Sequence, residues 1–548
     1  MPRSPLLRRL HGLVQDFAEA ERTGRTVESV QAERRQARFS RRDFLKYTGA
    51  TVGAVALAGR LPAFAAQPAP RIAIIGAGIA GLNAALTLHD AGIASTVYEA
   101  SGRVGGRMHS DTTSWLNGQT SEHCGELIDS GHTAILGLAS RFGLSTVDLH
   151  AAEPAGSTET YFFGGNYYPA ARANHDFQPV YKRLVADNNA APFPTLYNSF
   201  TEAGKDLDNM SVYDWIESRV PGGHGSRMGQ LLDVAYNIEY GNVTTVQSAL
   251  NLVYLLFNTQ QFVVFGASDE RYHIVGGNEL LPRAIAAALP PGSVKLSTAL
   301  AGIVHNADNS YTLELIDTHG THSLKTFDRV IITIPFSVLR TILDGDSAYR
   351  AAGFTPLKQT AITQLGYGKN AKLQLQFNGR LWDSPGPWGL STGTSYADTG
   401  YQNSWDVTRG QNGETGILVD YTGGGVPLAS FSGDTDDPSV VAGFAKTFLG
   451  QLEPVFPGIT SRWNGRATLD VPLSNPFLRG SYSYWKKGQY TLFSGYEGAR
   501  QPDPVTGKCH FAGEHCSTNF QGFMEGGAEE GARAANEILS DYKAGIFP

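Results

Sequence analysis

The stretch that decides the fold is Arg71–Arg107, RIAIIGAGIAGLNAALTLHDAGIASTVYEASGRVGGR. Its apolar run Ile72–Ile75 is typical of a buried parallel strand, and a helical pattern follows the glycines as far as Gly92. A second strand, Ser95–Tyr98, ends on Glu99. Strand, glycines, helix, strand and acid occur in the order of a dinucleotide-binding βαβ unit. The sequence therefore predicts an α/β protein with a Rossmann-like domain.

The residues of this unit have distinct physical roles. Gly76 permits the tight turn, Gly78 lets a pyrophosphate approach the backbone, and Gly81 allows close packing of helix on strand. Ala80 belongs to the first helical turn, whose amides and dipole favour an anion. Glu99 stands about 20 residues on, where the fingerprint requires an acceptor for ribose hydroxyls. Because no arginine stands beside Glu99, the pattern favours NAD or FAD over NADP.

A second glycine-rich turn follows, in which Arg103, Gly105-Gly106 and Arg107 bring a cation towards the same pyrophosphate. This extended fingerprint resembles that of the flavin amine oxidase family, which holds monoamine oxidases, polyamine oxidases and L-amino acid oxidases. A second match, HFAGEHCSTNFQGFMEGGAEEGARAANEIL, spans His510–Leu539. The resemblance covers about residues 70 to 540 and implies FAD as the cofactor.

The resemblance also implies further contacts with the cofactor. Gly125 and Glu126 fall in the segment whose backbone runs along the flavin, and Leu300 falls where backbone approaches the adenine. Gly513-Glu514 would meet the pyrophosphate and ribityl chain, with the carboxylate accepting from hydroxyls. Phe523-Met524 would begin a helix whose N-terminal amides face the flavin carbonyl, a site of developing negative charge.

Amine chemistry in this family depends on three further positions. Tyr482 and Phe523 correspond to two aromatic walls that sandwich the amine, and Lys372 corresponds to a lysine that holds a water at flavin N5. Ser481 stands where monoamine oxidases carry the cysteine that links the flavin, so the FAD is expected to be non-covalent. Phe523 replaces their second-wall tyrosine, which argues against strict monoamine oxidase specificity.

The substrate class stays open at this point. L-amino acid oxidases place an arginine after the strand that corresponds to Glu122–Ile128, where it binds the substrate carboxylate, and this chain has none there. Glu126 would favour a second ammonium, as in a diamine or polyamine, or else act as a structural acid. Arg271 or Arg466 could still reach the pocket from elsewhere.

The expected activity is FAD-dependent oxidation of an amine to an imine, which hydrolyses, while oxygen is reduced to hydrogen peroxide. One alternative is an L-amino acid oxidase. The other is a catalytically inactive flavoprotein that serves as a binding module, although the retained Lys372 and aromatic walls argue against it.

Composition and charge restrict the other partners. The chain has 548 residues, of which 41% are hydrophobic and 17% charged, as in ordinary globular proteins. Residues 1–66 hold twelve Lys/Arg and six Asp/Glu, so the rest of the chain carries a formal charge of −13. That acidic remainder argues against nucleic acid. The three cysteines make no disulfide framework, and no C-x-x-C pair suggests a metal site.

The N-terminal region resembles a twin-arginine signal peptide. Ser40–Lys46, SRRDFLK, precedes a mildly apolar stretch, Tyr47–Gly59, and then the small-residue pattern Ala63–Ala65. The apolar stretch is well short of the ~20 residues that span a bilayer, so no stable membrane anchor is expected. The protein is predicted to leave through the twin-arginine machinery, folded and loaded with FAD, and to be periplasmic or secreted.

The motifs divide the chain into interleaved domains. An α+β substrate-binding domain is expected between pieces of the FAD-binding domain, and alternation in Lys372–Phe377 suggests mostly antiparallel sheet from Thr360 to Asp420. The predicted segments are the signal peptide and N-terminal extension (1–66), the FAD-binding domain (70–150, 272–345 and 467–542) and the substrate-binding domain (151–271 and 346–466).

Overall fold

The computed structural model describes residues 70–257, 263–266, 268–425, 431 and 435–546. The predicted signal segment, 1–66, lies outside the described residues. Every element below belongs to one compact unit, Pro70–Pro548. No helix within the described ranges has the length and apolar character needed to cross a membrane.

The α-helices alternate with strands along the chain, with a purely helical stretch between residues 170 and 256. They are α1 Ile79–Asp90, α2 Thr133–Arg141, α3 Ala170–Ala190, α4 Glu202–Asn209, α5 Val212–Arg219, α6 Arg227–Glu239, α7 Ala249–Leu256, α8 Leu280–Ala288, α9 Phe336–Ile342, α10 Gly345–Ala351, α11 Pro356–Gln364, α12 Pro438–Leu452, α13 Gln489–Phe493 and α14 Met524–Lys543.

The strands fall into two large sheets and several small ones. They are β1 Ile72–Ile75, β2 Thr96–Tyr98, β3 Ser110–Asp111, β4 Ser121–Glu122, β5 Thr146–Asp148, β6 Thr158–Phe163, β7 Asn166–Tyr167, β8 Tyr272–Ile274, β9 Val294–Lys295, β10 Thr298–His305, β11 Tyr311–Asp317, β12 His322–Phe327, β13 Arg329–Ile332, β14 Gly366–Tyr367, β15 Ala371–Phe377, β16 Ser391–Ala397, β17 Asn403–Asp406, β18 Gly416–Thr422, β19 Trp463–Asp470, β20 Ser483–Tyr484 and β21 Cys509–Phe511.

The first large sheet is parallel, with the strand order β21-β13-β1-β2-β9. Its strands come from the beginning, middle and end of the described chain. Ile72 and Ile74 pack in one apolar cluster with α1 and α14, whereas Ala73 and Ile75 pack in another. A parallel sheet covered on both faces needs a continuous apolar run, which explains the sequence IAII. The sheet confirms the predicted α/β class.

The second large sheet has the order β19-β15-β18-β17-β16-β6-β7 and is antiparallel except between β16 and β6. Leu373, Leu375 and Phe377 of β15 pack in an apolar cluster with α12. Successive side chains of a strand point to opposite faces, so Lys372 and Gln374 lie on the other face. That second face is the one that contributes to the functional site.

Two sequence expectations differ from the structure. Residues 360–364, predicted as the start of antiparallel sheet, form the end of α11 instead. The Thr355 side chain caps this helix by accepting from the Lys358 amide, and Pro356 occupies the first helical position, so local signals favour a helix. In addition, β19 runs through residue 467, which is where the sequence places a domain boundary.

Candidate active site

A cavity of about 1160 Å³ is lined by residues of both large sheets. It collects side chains and backbone from positions far apart in the sequence. Of the predicted site residues, Gly81 does not line the cavity. The others do: Gly76, Gly78, Ala80, Glu99, Arg103, Gly105, Gly106, Arg107, Gly125, Glu126, Leu300, Lys372, Tyr482, Gly513, Glu514, Phe523 and Met524.

In the first glycine turn, Gly81 is needed for close packing, whereas Gly78 faces open space that a ligand could fill. A Cβ on Gly81 would overlap the carbonyl oxygen of Gly76, which itself has a φ of +105°. In contrast, a Cβ on Gly78 would meet no atom within 4 Å. The helix α1 that starts here has no side-chain cap, so its first amides remain available to an acceptor. The turn therefore leaves unoccupied space next to the uncapped N-terminus of α1.

Glu99 directly follows β2 and lines the cavity together with the glycine turn. One carboxylate oxygen accepts from the Ala77 amide at 2.7 Å, and the other accepts from the amide and hydroxyl of Ser101 at 2.8 and 2.7 Å. A carboxylate offers about four lone-pair sites, so Glu99 retains capacity for a further donor. These bonds also fix the carboxylate against the glycine turn.

The second glycine turn carries two cations. Arg103 donates to the carbonyls of Val104 and Gly106. Arg107 donates to Glu514 at 2.9 Å and to the carbonyl of Ser481 at 2.8 Å. Both residues line the same cavity as Gly78, so this end of the cavity contains two cations.

Glu514 has a different environment from the predicted one. Besides Arg107, its oxygens accept from the amide and hydroxyl of Ser483 and from the Gly522 amide. Burial alone would raise the pKa of Glu514, but the Arg107 charge and these hydrogen bonds hold it below its usual value. The carboxylate thus joins three segments around the cavity, and its role as an acceptor for cofactor hydroxyls stays a prediction.

The donors at this end of the cavity fit FAD. Open space at Gly78, two guanidiniums and the uncapped start of α1 match the requirements of a pyrophosphate. The N-terminus of α14, with Phe523 and Met524 on the cavity wall, also has no side-chain cap. Gly125 lies so close to Met524 that a Cβ there would sit 3.1 Å from its sulfur.

Lys372 and Glu126 form a buried ion pair. The ammonium lies 2.7 Å from one carboxylate oxygen, and the indole of Trp405 donates to the other at 2.9 Å. Burial would raise the pKa of Glu126, but the Lys372 charge and both hydrogen bonds outweigh burial and lower it. Glu126 therefore has a partner on each oxygen, where the sequence left two roles open: a site for a second substrate ammonium or a structural acid.

Sequence reasoning missed Glu122, which organises the strand before this pair. Glu122 is fully buried, and its carboxylate contacts the Ser110 hydroxyl, the Asn278 amide and the His273 ring. Its carbonyl lies 3.3 Å from the Lys372 ammonium. The signal that could have identified it is a charged residue within the segment Ser121–Asp129, SEHCGELID.

Tyr482 lies on the cavity wall with its ring fixed at the hydroxyl. That hydroxyl donates to the Ile238 carbonyl at 3.2 Å and lies 3.1 Å from the Tyr421 hydroxyl. Phe523, the predicted opposite wall, also lines the cavity. The Ser481 hydroxyl donates to the Asn370 side chain at 2.6 Å.

A row of cross-strand neighbours runs over the cavity face of the second sheet. Lys372 is opposite Tyr421, Tyr421 is opposite Asn403, and Asn403 is opposite Tyr396. All four line the cavity, beside the carboxylates of Glu159, Glu239 and Glu270. Apart from Lys372 these residues were missed, because only strand pairing shows that they are neighbours.

The arginines considered for a substrate carboxylate lie elsewhere. Arg271 pairs with Asp148 at 2.6 Å and is substantially exposed, and Arg466 donates to the Ser114 carbonyl. Neither lines the cavity. Arg409 does line it, but it pairs with Glu153 at 2.7 Å.

Comparisons with known proteins identify the family of this chain. Residues 79–539 match the sequence model of flavin containing amine oxidoreductases. Polyamine oxidase 1 of Oryza sativa subsp. japonica is 25% identical over 540 residues, covering 87% of this chain and 98% of that protein. The L-amino-acid oxidase of Mus musculus is 24% identical over 493 residues, covering 87% and 71% respectively.

The solved structure of cyclohexylamine oxidase from Brevibacterium oxydans superposes with a TM-score of 0.70 at 21% identity, covering 87% of this chain and 100% of that one. It supports the fold. Residues 38–58 match the twin-arginine translocation signal sequence, which confirms the predicted export. The family match confirms the flavin cofactor and the enzyme class. The chain belongs to the family of flavin-containing amine oxidoreductases.

Proposed function

We propose that the protein oxidises an amine at the carbon next to nitrogen, giving an imine that hydrolyses to a carbonyl compound and ammonia or an amine. The observation that carries this proposal is a single cavity that contains the dinucleotide turn, the Lys372–Glu126 pair and Tyr482. FAD, when bound, supplies the two-electron acceptor for this oxidation. Oxygen is the proposed final acceptor, with hydrogen peroxide as its product.

The protein itself supplies positioning and charge. Gly78, Glu99 and Arg103 would hold the dinucleotide portion of FAD, and the N-terminal amides of α14 would face the flavin ring. The ring of Tyr482, fixed through its hydroxyl, would orient the neutral amine together with Phe523. These aromatic faces would also exclude water from the reacting carbon.

Lys372 is proposed to act as an oriented cation. Its contacts with Glu126 and the Glu122 carbonyl limit where the ammonium can point, and its ammonium lies 5.4 Å from the centre of the Trp405 ring. A cation held in this way can orient a water and stabilise negative charge that develops nearby. Glu126 is then a positioning residue for Lys372.

The cavity favours an amine over an α-amino acid. The cavity-lining arginines within the described ranges are Arg103, Arg107, Arg409 and Arg479, of which Arg107 pairs with Glu514 and Arg409 pairs with Glu153. The Arg409 guanidinium is therefore already neutralised and is a poor partner for a substrate carboxylate. The similarity to a mammalian L-amino-acid oxidase keeps amino acids in the test panel but does not outweigh this charge balance.

The proposal also covers the attachment of the flavin and the organisation of the domains. The flavin is held without a covalent bond, because Ser481 stands at the linking position and donates to Asn370. The FAD-binding and substrate-binding domains are proposed to interleave in the predicted order, with the last boundary placed after β19, which belongs to the second sheet. The exported protein is proposed to work in the periplasm or outside the cell.

The test uses the purified holoprotein with a panel of amines and amino acids. We expect an amine to bleach the oxidised flavin absorbance without oxygen, and peroxide to appear when oxygen is admitted. Acid precipitation should release all flavin into the supernatant. A flavin that no amine or amino acid reduces would make the protein a non-catalytic flavoprotein, contrary to the proposal.

A further inference from the structure

The segment 128–135, which we call the brace, connects two parts of the cavity wall. It begins a few residues after β4 and ends in the first turn of α2. The structure describes all of its residues, and none of them lines the cavity. The brace can therefore affect the site only through the residues that it contacts. These belong to the N-terminus of α14 and to the loop before β8.

A carboxylate joins the brace to α14. Glu525, in the first turn of α14, is fully buried, and its two oxygens accept from the amides of Ala134 and Ile135 at 2.8 Å each. These amides belong to the first turn of α2, where the helix dipole favours a negative acceptor. The first turns of α2 and α14 are therefore fixed to one another beside Phe523, the residue that precedes α14.

His132 packs against the Phe523 ring. The two rings meet edge to face, with centres 5.2 Å apart and planes at 64°, and Phe520 packs on the same imidazole at 5.6 Å. His132 is 1% exposed and does not line the cavity, whereas Phe523 does. Edge-to-face aromatic pairs have a preferred orientation, so the imidazole restricts how far the Phe523 ring can rotate or shift.

Asp129 fixes the orientation of this imidazole. The Asp129 amide donates to Nδ1 of His132 at 3.0 Å, so the proton of the neutral ring is on Nε2. Nε2 lies 3.4 Å from one oxygen of the Asp129 carboxylate. The ring cannot flip without losing both contacts inside a buried region. The aromatic contact with Phe523 therefore depends on polar contacts with Asp129.

The Asp129 carboxylate also holds the loop 268–270. It accepts from the Ser268 hydroxyl and the Glu270 amide, each at 2.9 Å, and both of these residues line the cavity. Glu270 has a φ of +43°, which a residue other than glycine keeps only where its surroundings impose it. In return, the Asp269 carboxylate accepts from the Ser130 amide at 2.7 Å. Two carboxylates thus fasten this loop to the brace.

We propose that His132 and Asp129 are positioning residues that set the space between Phe523 and Tyr482 for the amine. This inference rests on the proposed function, in which these two rings orient the amine. His132 fixes the Phe523 ring from outside the cavity, and Asp129 connects that ring to the loop 268–270. The loop and the aromatic wall therefore respond to substrate as one unit.

The first test is a pair of variants at His132. His132→Leu keeps an apolar side chain against Phe523 but removes both polar contacts, whereas His132→Gln keeps an acceptor and an N–H donor. Tetramethylammonium, which cannot become an imine, should bind the oxidised holoprotein about 10-fold more weakly in the Leu variant. The Gln variant should recover most of this loss; if it recovers none, the contacts with Asp129 do not position the ring. Titration followed by flavin absorbance measures both.

His224→Leu is the matched control. His224 stacks on Tyr213 at 3.9 Å and contacts the Glu217 carboxylate at 2.8 Å, and none of these three described residues lines the cavity. The control should leave tetramethylammonium affinity unchanged, whatever its effect on the free energy of unfolding. If His132→Leu likewise changes only the free energy of unfolding, His132 has a structural role alone and the inference is wrong.

A double variant tests the connection through Asp129. Ser268→Ala removes one contact between the loop and the brace, and it should also weaken tetramethylammonium binding. Because both changes act through Asp129, their fold-changes should not multiply when Ser268→Ala is combined with His132→Leu. Fold-changes that multiply would show that the loop and the aromatic wall are independent, contrary to the inference.

The binding measurements separate this inference from the proposed function, because they need no turnover. If no amine reduces the flavin but tetramethylammonium affinity still depends on His132, amine oxidation is refuted and the positioning role stands. If an amine reduces the flavin of wild type and of His132→Leu equally fast, and both bind tetramethylammonium equally, the reverse holds. A wild-type protein that does not bind tetramethylammonium at all would refute the aromatic pair, and this inference with it.

Discussion

The two ends of the cavity are built in different ways. The cofactor end consists largely of backbone from two short, continuous glycine turns, where Gly81 and Gly78 separate packing from ligand space. The substrate end consists of side chains from distant segments, such as Lys372 with Glu126 and the cavity-lining carboxylates of Glu159, Glu239 and Glu270. At the first end, Gly81 tolerates no added atom whereas Gly78 faces open space, and the second end is sensitive to charge. Substitutions at the two ends should therefore fail for different reasons.

The largest effect is expected from Gly81→Val. Its side chain would overlap the Gly76 carbonyl, so the glycine turn cannot close and folded, flavin-bound protein should be lost. Gly78→Ala is the matched control, since its methyl group enters open space. That variant should keep the wild-type free energy of unfolding in urea but lose FAD affinity. Equal losses in the free energy of unfolding for both variants would contradict the conclusion that Gly81 is needed for packing and Gly78 for ligand binding.

The next effect concerns charge at the substrate end. Lys372→Met would leave Glu126 buried without its counter-charge, which should lower the free energy of unfolding by about 3–5 kcal/mol. Adding Glu126→Gln should restore most of that loss, because the uncompensated charge is gone. Urea unfolding of both single variants and the double variant measures the coupling. A Lys372→Met protein as stable as wild type would show that the pair is not formed in solution.

The same pair predicts a pH dependence. The pKa of Glu126 is lowered in the folded protein, so its contribution is present above its unfolded value and is lost as the pH falls through the folded value. The stability difference between wild type and Lys372→Met should therefore shrink in acid, because Glu126 without Lys372 becomes protonated first and the wild-type pair is lost as the pH falls further. Unfolding curves collected across this range test the sign. A difference that grows on acidification would contradict it.

Glu99→Ala is expected to have a smaller effect, confined to the cofactor end. It removes the acceptor of the Ala77 and Ser101 amides and an available ribose acceptor, so FAD should bind about 10- to 100-fold more weakly. Glu99→Gln keeps one accepting oxygen and should lose less. Flavin titration followed by absorbance measures both. Unchanged occupancy would place the ribose away from β2.

The sequence predicts the residues of the cofactor end better than those of the substrate end, because the first lie close together in the chain and the second do not. Ile72–Ile75 and the glycines show their roles locally, because strand burial and tight turns leave their pattern in adjacent residues. The pairing of Lys372 with Glu126 joins positions 246 residues apart, and no local pattern encodes it. The row from Lys372 to Tyr396 likewise depends on strand register. Thr360–Gln364 was misjudged because alternation outweighed the Thr355 cap and Pro356.

The smallest effect is expected from Tyr482→Phe, which tests whether the ring or the hydroxyl matters at the substrate end. The hydroxyl donates to the Ile238 carbonyl and lies near the Tyr421 hydroxyl, so its loss should lower the free energy of unfolding by about 1 kcal/mol.

The aromatic face survives in Tyr482→Phe, and kcat/KM for an amine should fall by less than about 10-fold. Tyr482→Leu removes the ring and should lower kcat/KM further at similar stability. The rate of flavin reduction without oxygen, measured by rapid mixing, separates orientation of the amine from later steps. If the two variants reduce flavin equally fast, the ring is not needed to orient the amine, and the amine does not contact its face.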